Sequence, residues 1–298
     1  MKTTPAKKAY LYLLLAAVIW GLAGPVIKTG LNTIPYDIFL SGRFLVSSLI
    51  AIPFLLRGKK YITRNNALPI FIYSLLTTPL TLGLLFLGTE KTSLLDMSLI
   101  QSIGPLVTVI FAYFFLNEHL SARRKLGIVI AYLGSFIIAV EPLFNGHKGT
   151  SALLGNIIIF LSLFANAASF IYLKKLLNNK IPPDLLAHLS FVVGFLVFLP
   201  ITFSQHSVTN IFSGWVTHPW PILYMALFSG TLAYIFQNKA QQTLQVTESA
   251  VFAYLHPTIS ALLATMVLGD KLTPAILIGS GIILVGILAS ETQTKGNC

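Results

Sequence analysis

The chain has almost no cysteine: a single residue, Cys298, stands at its end. That excludes a disulfide framework and a cysteine metal site, and it leaves the redox compartment open. Charge is equally scarce. Only 10% of the 298 residues are Asp, Glu, Lys or Arg, against about 25% in a soluble domain. With 55% hydrophobic residues and a mean hydropathy of +0.80, there is too little polar material to cover a soluble core. Lipid must be the solvent. The nine acidic residues lie mostly at span ends or in loops, no histidine pair has ligand spacing, and no GxxxxGK[ST] phosphate loop occurs. A convergent titratable cluster, a bound metal or cofactor and ATP-driven pumping therefore all lack their residues, so the chain reads as a non-enzyme. No low-complexity linker or soluble domain is present.

Basic residues are plentiful, giving a formal net charge of +11. They sit between apolar stretches and form no basic face, which argues against nucleic acid and for a membrane protein with a positive cytoplasmic side. A crossing helix needs roughly 17 to 25 residues. Ten segments approach this: 10–28, 37–56, 68–87, 94–116, 124–140, 152–173, 185–203, 221–237, 248–268 and 273–290. Lys2, Lys7 and Lys8 before LYLLLAAVIWGLAG have the layout of a cleaved signal peptide, but the apolar stretch runs on into PVIK, so a retained first helix is expected. With a cytoplasmic N-terminus, fifteen Lys and Arg fall on the inside and only Lys28, Lys91, Lys148 and Lys271 outside, while Arg43 lies within a span. Both ends are therefore expected in the cytoplasm.

Shifting the chain by 152 positions lays Pro105 on Pro257, Leu120 on Leu272, Gly127 on Gly279 and Gly134 on Gly286. Asp96 falls on Glu248, Glu118 on Asp270 and Ser121 on Thr273. Prolines and paired glycines in register are not what chance similarity of apolar helices produces. The repeat has five spans, an odd number, so two tandem copies, 1–145 and 146–298, face opposite ways in the bilayer. Arg123, Arg124 and Lys125 align with Ala275, Ile276 and Leu277, so the positive charges vanish where the second copy would expose them outside. Inverted repeats of this kind belong to secondary transporters, with the substrate at the midplane between halves. The expected fold is an all-α polytopic membrane protein of ten helices in two inverted five-helix repeats.

Several phrases, in order, carry a resemblance. WGLAGPVIK from Trp20 to Lys28, RFLVSSLIA from Arg43, IGPLVTVIFAYFFLNEHLS in the fourth span and its echo from His256 to Thr273, with Asp270 where Glu is more usual, are similar to the drug/metabolite transporter superfamily in its form with two tandem EamA domains. The resemblance covers nearly the whole chain. It implies ten helices and an alternating-access cycle exporting amino acids or related metabolites. It leaves the substrate open, because drugs, nucleotide sugars and cofactor-like molecules are also carried in that superfamily.

Individual residues admit two readings. Arg43, about two turns inside the second span, is either a functional charge or a structural one paired with Asp37 or a backbone carbonyl. Lys28 reads as a snorkelling anchor. Pro105 and Pro257 each remove an amide donor near mid-helix and free a carbonyl four residues back, as a hinge in the transport path or as a static kink. His256 could carry a coupled proton, or be a core histidine, since no acid shares its depth. Trp20, Gln101, Asn166, Tyr234 and Tyr254 can each form an interhelical hydrogen bond, and as a set they can line one cavity suited to a small neutral, zwitterionic or aromatic solute. Gly127, Gly134, Gly279 and Gly286 read as close helix packing. Glu118 and Asp270 read as caps or salt-bridge partners, with gating as the alternative.

Together these predict an inner-membrane exporter of amino acids or similar small metabolites, with protons as the coupling ion if there is one, acting as monomer or homodimer. A drug, nucleoside or sugar transporter, an uncoupled facilitator, a scaffold of the same fold and a membrane enzyme are the competing readings.

Overall fold

The computed structural model describes residues 5–91, 97, 100–118, 120–144, 153–256, 259 and 273–291, and all regular structure among them is helical. Among the described residues six helices are long and apolar enough to cross a bilayer. They include α1 (Pro5–Leu31), α2 (Tyr36–Gly58) and α3 (Arg64–Lys91). After α4 (Gly104–Leu116) and α5 (Ala122–Phe144) come two more, α6 (Leu153–Asn178) and α7 (Pro183–Gln205). The short α8 (Val208–Thr217) precedes the last of the six, α9 (Pro219–Gln241), and α10 (Val246–Phe252) and α11 (Pro274–Glu291) complete the order. Lys28 lies in α1; Pro257 and Asp270 lie outside the described residues.

Local chemistry sets the boundaries. Pro35 precedes α2, and Pro182 and Pro183 open α7, where a missing N–H costs nothing. Thr63 and Asn66 form a capping box at the start of α3, the Thr63 N–H donating to Asn66 Oδ1 at 2.8 Å. Asn117, at φ 52°, ends α4 in the left-handed conformation that asparagine tolerates. Large apolar side chains such as Leu49, Leu56, Phe114, Leu154, Leu196 and Leu288 point outward, as lipid-facing residues do in helices whose backbone polar groups are satisfied internally.

Two departures from regular α-helix matter for the site. The helix α3 widens into a π turn at Leu76–Leu80, and α9 widens at Met225–Leu232. Pro79 cannot donate to the ladder, and the wider turn absorbs it. In both turns a hydroxyl reaches the carbonyl five residues back: Thr81 Oγ1 donates to Leu76 O at 2.7 Å, and Thr231 Oγ1 to Ala226 O at 3.0 Å. The offset that superposes the repeated phrases lays 76–80 on 228–232, inside the second π turn.

The fourth span departs from expectation. A kinked continuous helix is predicted around Pro105, but the helix is interrupted there: residues 102 and 103 form a turn, and α4 begins at Gly104 with Pro105 in its first turn. The Ile103 N–H donates to Ile100 O at 3.0 Å. The break is cheaper than the kink because proline at a helix start loses no hydrogen bond. Another break follows α10, where Ala253 and Tyr254 donate to Ala250 and Val251 carbonyls at 3.1 and 3.2 Å, just before Pro257.

Helix pairing fixes the interior. α1 packs against α9, α3 against α6, α2 against α7, and α5 against α11 in the most extensive interface. At that interface a Cβ on Gly134 would stand 2.6 Å from Gly279 O, and one on Gly286 would stand 2.7 Å from Gly127 O. Two backbones meet here at a distance only glycine permits. Gly127, Gly134, Gly279 and Gly286 therefore serve close packing within the chain.

Candidate functional site

A cavity of about 490 Å³ lies between the helices, within the ordinary size range of a small-molecule site. Trp20, Arg43, Gln101, Asn166, Tyr234, Tyr254 and His256 all line it, as does Pro105. Residues from α1, α2, α6, α9 and both interrupted segments thus converge on one space. The four aligned glycines are not among the lining residues.

An aromatic core organises one side. Trp20 Nε1 donates to Ser229 O, a carbonyl of the second π turn, at 2.9 Å. Its ring stands edge-on to Tyr234 with centroids 5.5 Å apart, and to His256 at 5.7 Å. Tyr234 in turn meets Phe191 at 5.2 Å. These edge-to-face contacts hold the rings against one another.

Arg43 is 1% exposed. Its guanidinium lies over Phe44 and Phe86, at 5.5 and 5.9 Å from the ring centroids. Among the described residues Nε, Nη1 and Nη2 have no hydrogen-bond partner. The pairing with Asp37 that the sequence suggests does not form. Asp37 is held instead by His206, whose Nε2 lies 3.2 and 3.1 Å from the two carboxylate oxygens, because α7 brings His206 directly beside the start of α2.

The sequence reading misses several lining groups. Tyr73 and Thr77 come from the turn before and the start of the π segment in α3, and Gln237, Asn238, Gln241 and Ser249 come from the end of α9 and from α10. The spacing Gln237, Asn238, Gln241 on one helix face was the available signal. Asn238 Nδ2 donates to Pro183 O at 3.2 Å, whereas among the described residues both amide atoms of the buried Gln241, Ser249 Oγ and Tyr254 Oη lack partners. Among the described residues no Asp or Glu lines the cavity.

Beyond Gln241 polar contacts tie the helix ends together. Glu118 is buried, and its two carboxylate oxygens accept the N–H groups of Val246 and Thr247, both at 2.9 Å, so that it caps α10 and not its own helix. Arg124 is bonded to Gln245 and Glu248. Lys174 Nζ donates to Gln241 O and Leu244 O at 2.8 and 2.6 Å. At the opposite end α8 lies along α2, with Ile211 buried and Trp215 Nε1 donating to Ile38 O at 3.0 Å. Among the described residues no group of three or more His, Cys, Asp and Glu could hold a metal ion.

Comparison with known proteins places these features. The sequence profile described as "EamA-like transporter family" matches residues 7–140 and 153–291. A relative from Archaeoglobus fulgidus named "Uncharacterized transporter" is 26% identical over 284 residues, covering 94% of this chain and 97% of that one. A relative from Salmonella typhimurium named "Probable amino-acid metabolite efflux pump" is 25% identical over 284 residues, covering 92% and 91%. A solved crystal structure with 14% sequence identity superposes with a TM-score of 0.79 over 96% of each chain, which shows a shared fold.

Proposed function

Because the chain belongs to the EamA-like transporter family, we propose that it is a secondary transporter exporting amino acids or similar small metabolites across the inner membrane by alternating access. The observation that carries this reading is the central cavity, lined by amides, hydroxyls and aromatic rings from both halves of the chain and containing one buried guanidinium. A solute with a polar head and an apolar or aromatic body fits that lining. The name of the Salmonella relative agrees with the class.

The proposed organisation is two inverted five-helix halves, 1–145 and 146–298, with both termini cytoplasmic. Numbering the ten expected spans in order, the first packs on the eighth, the third on the sixth, the second on the seventh and the fifth on the tenth. Exchanging every span for its counterpart five places away returns the same set of pairs, which supports the inverted arrangement. The matched π turns and the breaks beside Pro105 and before Pro257 support it too, and they supply the hinges. In this orientation the Glu118 and Arg124 contacts close the cytoplasmic side. Proton coupling would run through His256, the only histidine lining the cavity among the described residues. Trp20, Arg43, Gln101, Asn166, Tyr234 and Tyr254 would contact the substrate.

Inverted membrane vesicles containing the protein test this. Labelled amino acids are offered with and without an imposed proton gradient. Accumulation of at least one, abolished when the gradient is collapsed, is the expected result. Equilibration indifferent to the gradient removes the coupling, and no flux of any amino acid removes the substrate class.

A further inference from the structure

We infer that the substrate carries a single carboxylate bound by Arg43 and no net positive charge, an inference that rests on reading the cavity as the transport site. A guanidinium presents five N–H donors. At Arg43 none of its nitrogens has a partner among the described residues, although the side chain is only 1% exposed. The rings of Phe44 and Phe86 compensate part of the charge, but a π face accepts no more than a fraction of what five desolvated donors require. The acid nearest in sequence, Asp37, is held by His206. A buried cation left in this state calls for an anion.

The rest of the wall says which anion. No carboxylate lines the cavity among the described residues, so nothing there offsets a second cation, and an amine without an acid group would add unpaired positive charge to a site that already holds one. A carboxylate takes two of the guanidinium donors in a fork. A phosphate monoester brings close to two negative charges against one cation, which overshoots. The same cavity holds neutral acceptors as well: among the described residues Gln241 Oε1 and Tyr254 Oη are buried on it without partners. The site is thus built for a carboxylate at Arg43 and an apolar or aromatic body along Trp20 and Phe86, with at most one compensating ammonium.

Purified protein in detergent and in proteoliposomes provides the test, with leucine and phenylalanine each offered alongside the corresponding deaminated acid and the corresponding amide. Thermal shift and inhibition of labelled amino-acid counterflow are read. The amino acids and deaminated acids are expected to stabilise and compete, and the amides to need about tenfold higher concentration or more. Arg43→Gln is expected to erase the difference between acid and amide, and Arg43→Lys, which keeps the charge but loses the fork, to narrow it. If Arg43→Gln does not fold, the acid-to-amide ratio of Arg43→Lys decides. Amides binding as well as acids in the wild type, or an undiminished ratio in the variants, overturns the inference. Flux of amides without acids overturns it while leaving the transport reading intact; a folded protein that neither binds nor moves any of the six compounds overturns both.

Discussion

The helix ends around Glu118 and the wall of the central cavity are built from the same kinds of residue, and they differ in how their charged groups are partnered. Around Glu118 the carboxylate meets two backbone N–H groups, Arg124 meets Gln245 and Glu248, and Lys174 meets two carbonyls. At the wall Arg43, Gln241, Ser249 and Tyr254 hold buried polar atoms that have no partner among the described residues. Native proteins rarely leave such groups unsatisfied. The contrast lies in the charged groups: Glu118, Arg124 and Lys174 are paired where they join the helices, whereas Arg43 on the cavity wall has no hydrogen-bond partner among the described residues.

Substitutions should separate the two regions, since trimming the first costs stability and trimming the second costs binding. Glu118→Ala carries the largest expected effect. It strands two buried N–H groups that now bond to a charge, and thermal unfolding in detergent should report a loss of about 3 kcal/mol or more. Gly286→Leu, which drives a side chain into the Gly127–Ala131 backbone, should lose about 1 to 3 kcal/mol, while Gly281→Leu, with open space around it, should stay within roughly 0.5 kcal/mol of wild type. Trp20→Phe removes the bond to Ser229 O and should cost about 1 kcal/mol. Tyr254→Phe deletes a hydroxyl with no partner among the described residues, so unfolding should move by less than roughly 0.5 kcal/mol while the half-saturating concentration for transport rises. An equal loss of stability in Glu118→Ala and Tyr254→Phe would dissolve the comparison.

Much of the site was legible because an intramembrane polar residue is expensive and stands out against leucine. Trp20, Arg43, Gln101, Asn166, Tyr234, Tyr254 and His256 were separable on depth and polarity alone, and all line the cavity. Tyr73 and Thr77 escaped because a π turn has no sequence signature beyond a proline such as Pro79. Glu118 was legible as a cap, but which helix it caps was not, because its partners, Val246 and Thr247, are 128 and 129 residues away. Proline marked the weak point in the fourth span, but periodicity could not distinguish a kink from the break at Gly104. The stretch SQHSVTNIFSGWVTHPWP between the seventh and eighth expected spans is rich in polar residues, yet Ile211 and Trp215, four residues apart, give α8 one face that packs on α2.

The most direct test of the claim that the unpartnered wall is a substrate site is a protection experiment. The sole native thiol is removed by Cys298→Ser, and one cysteine is introduced either at the cavity, as Met97→Cys, or on the exposed surface, as Ser121→Cys. Labelling by a membrane-permeant thiol reagent is then followed with and without amino acids. The account predicts that at least one amino acid slows labelling at position 97 and leaves position 121 unchanged. Labelling at position 97 that no amino acid alters would contradict it.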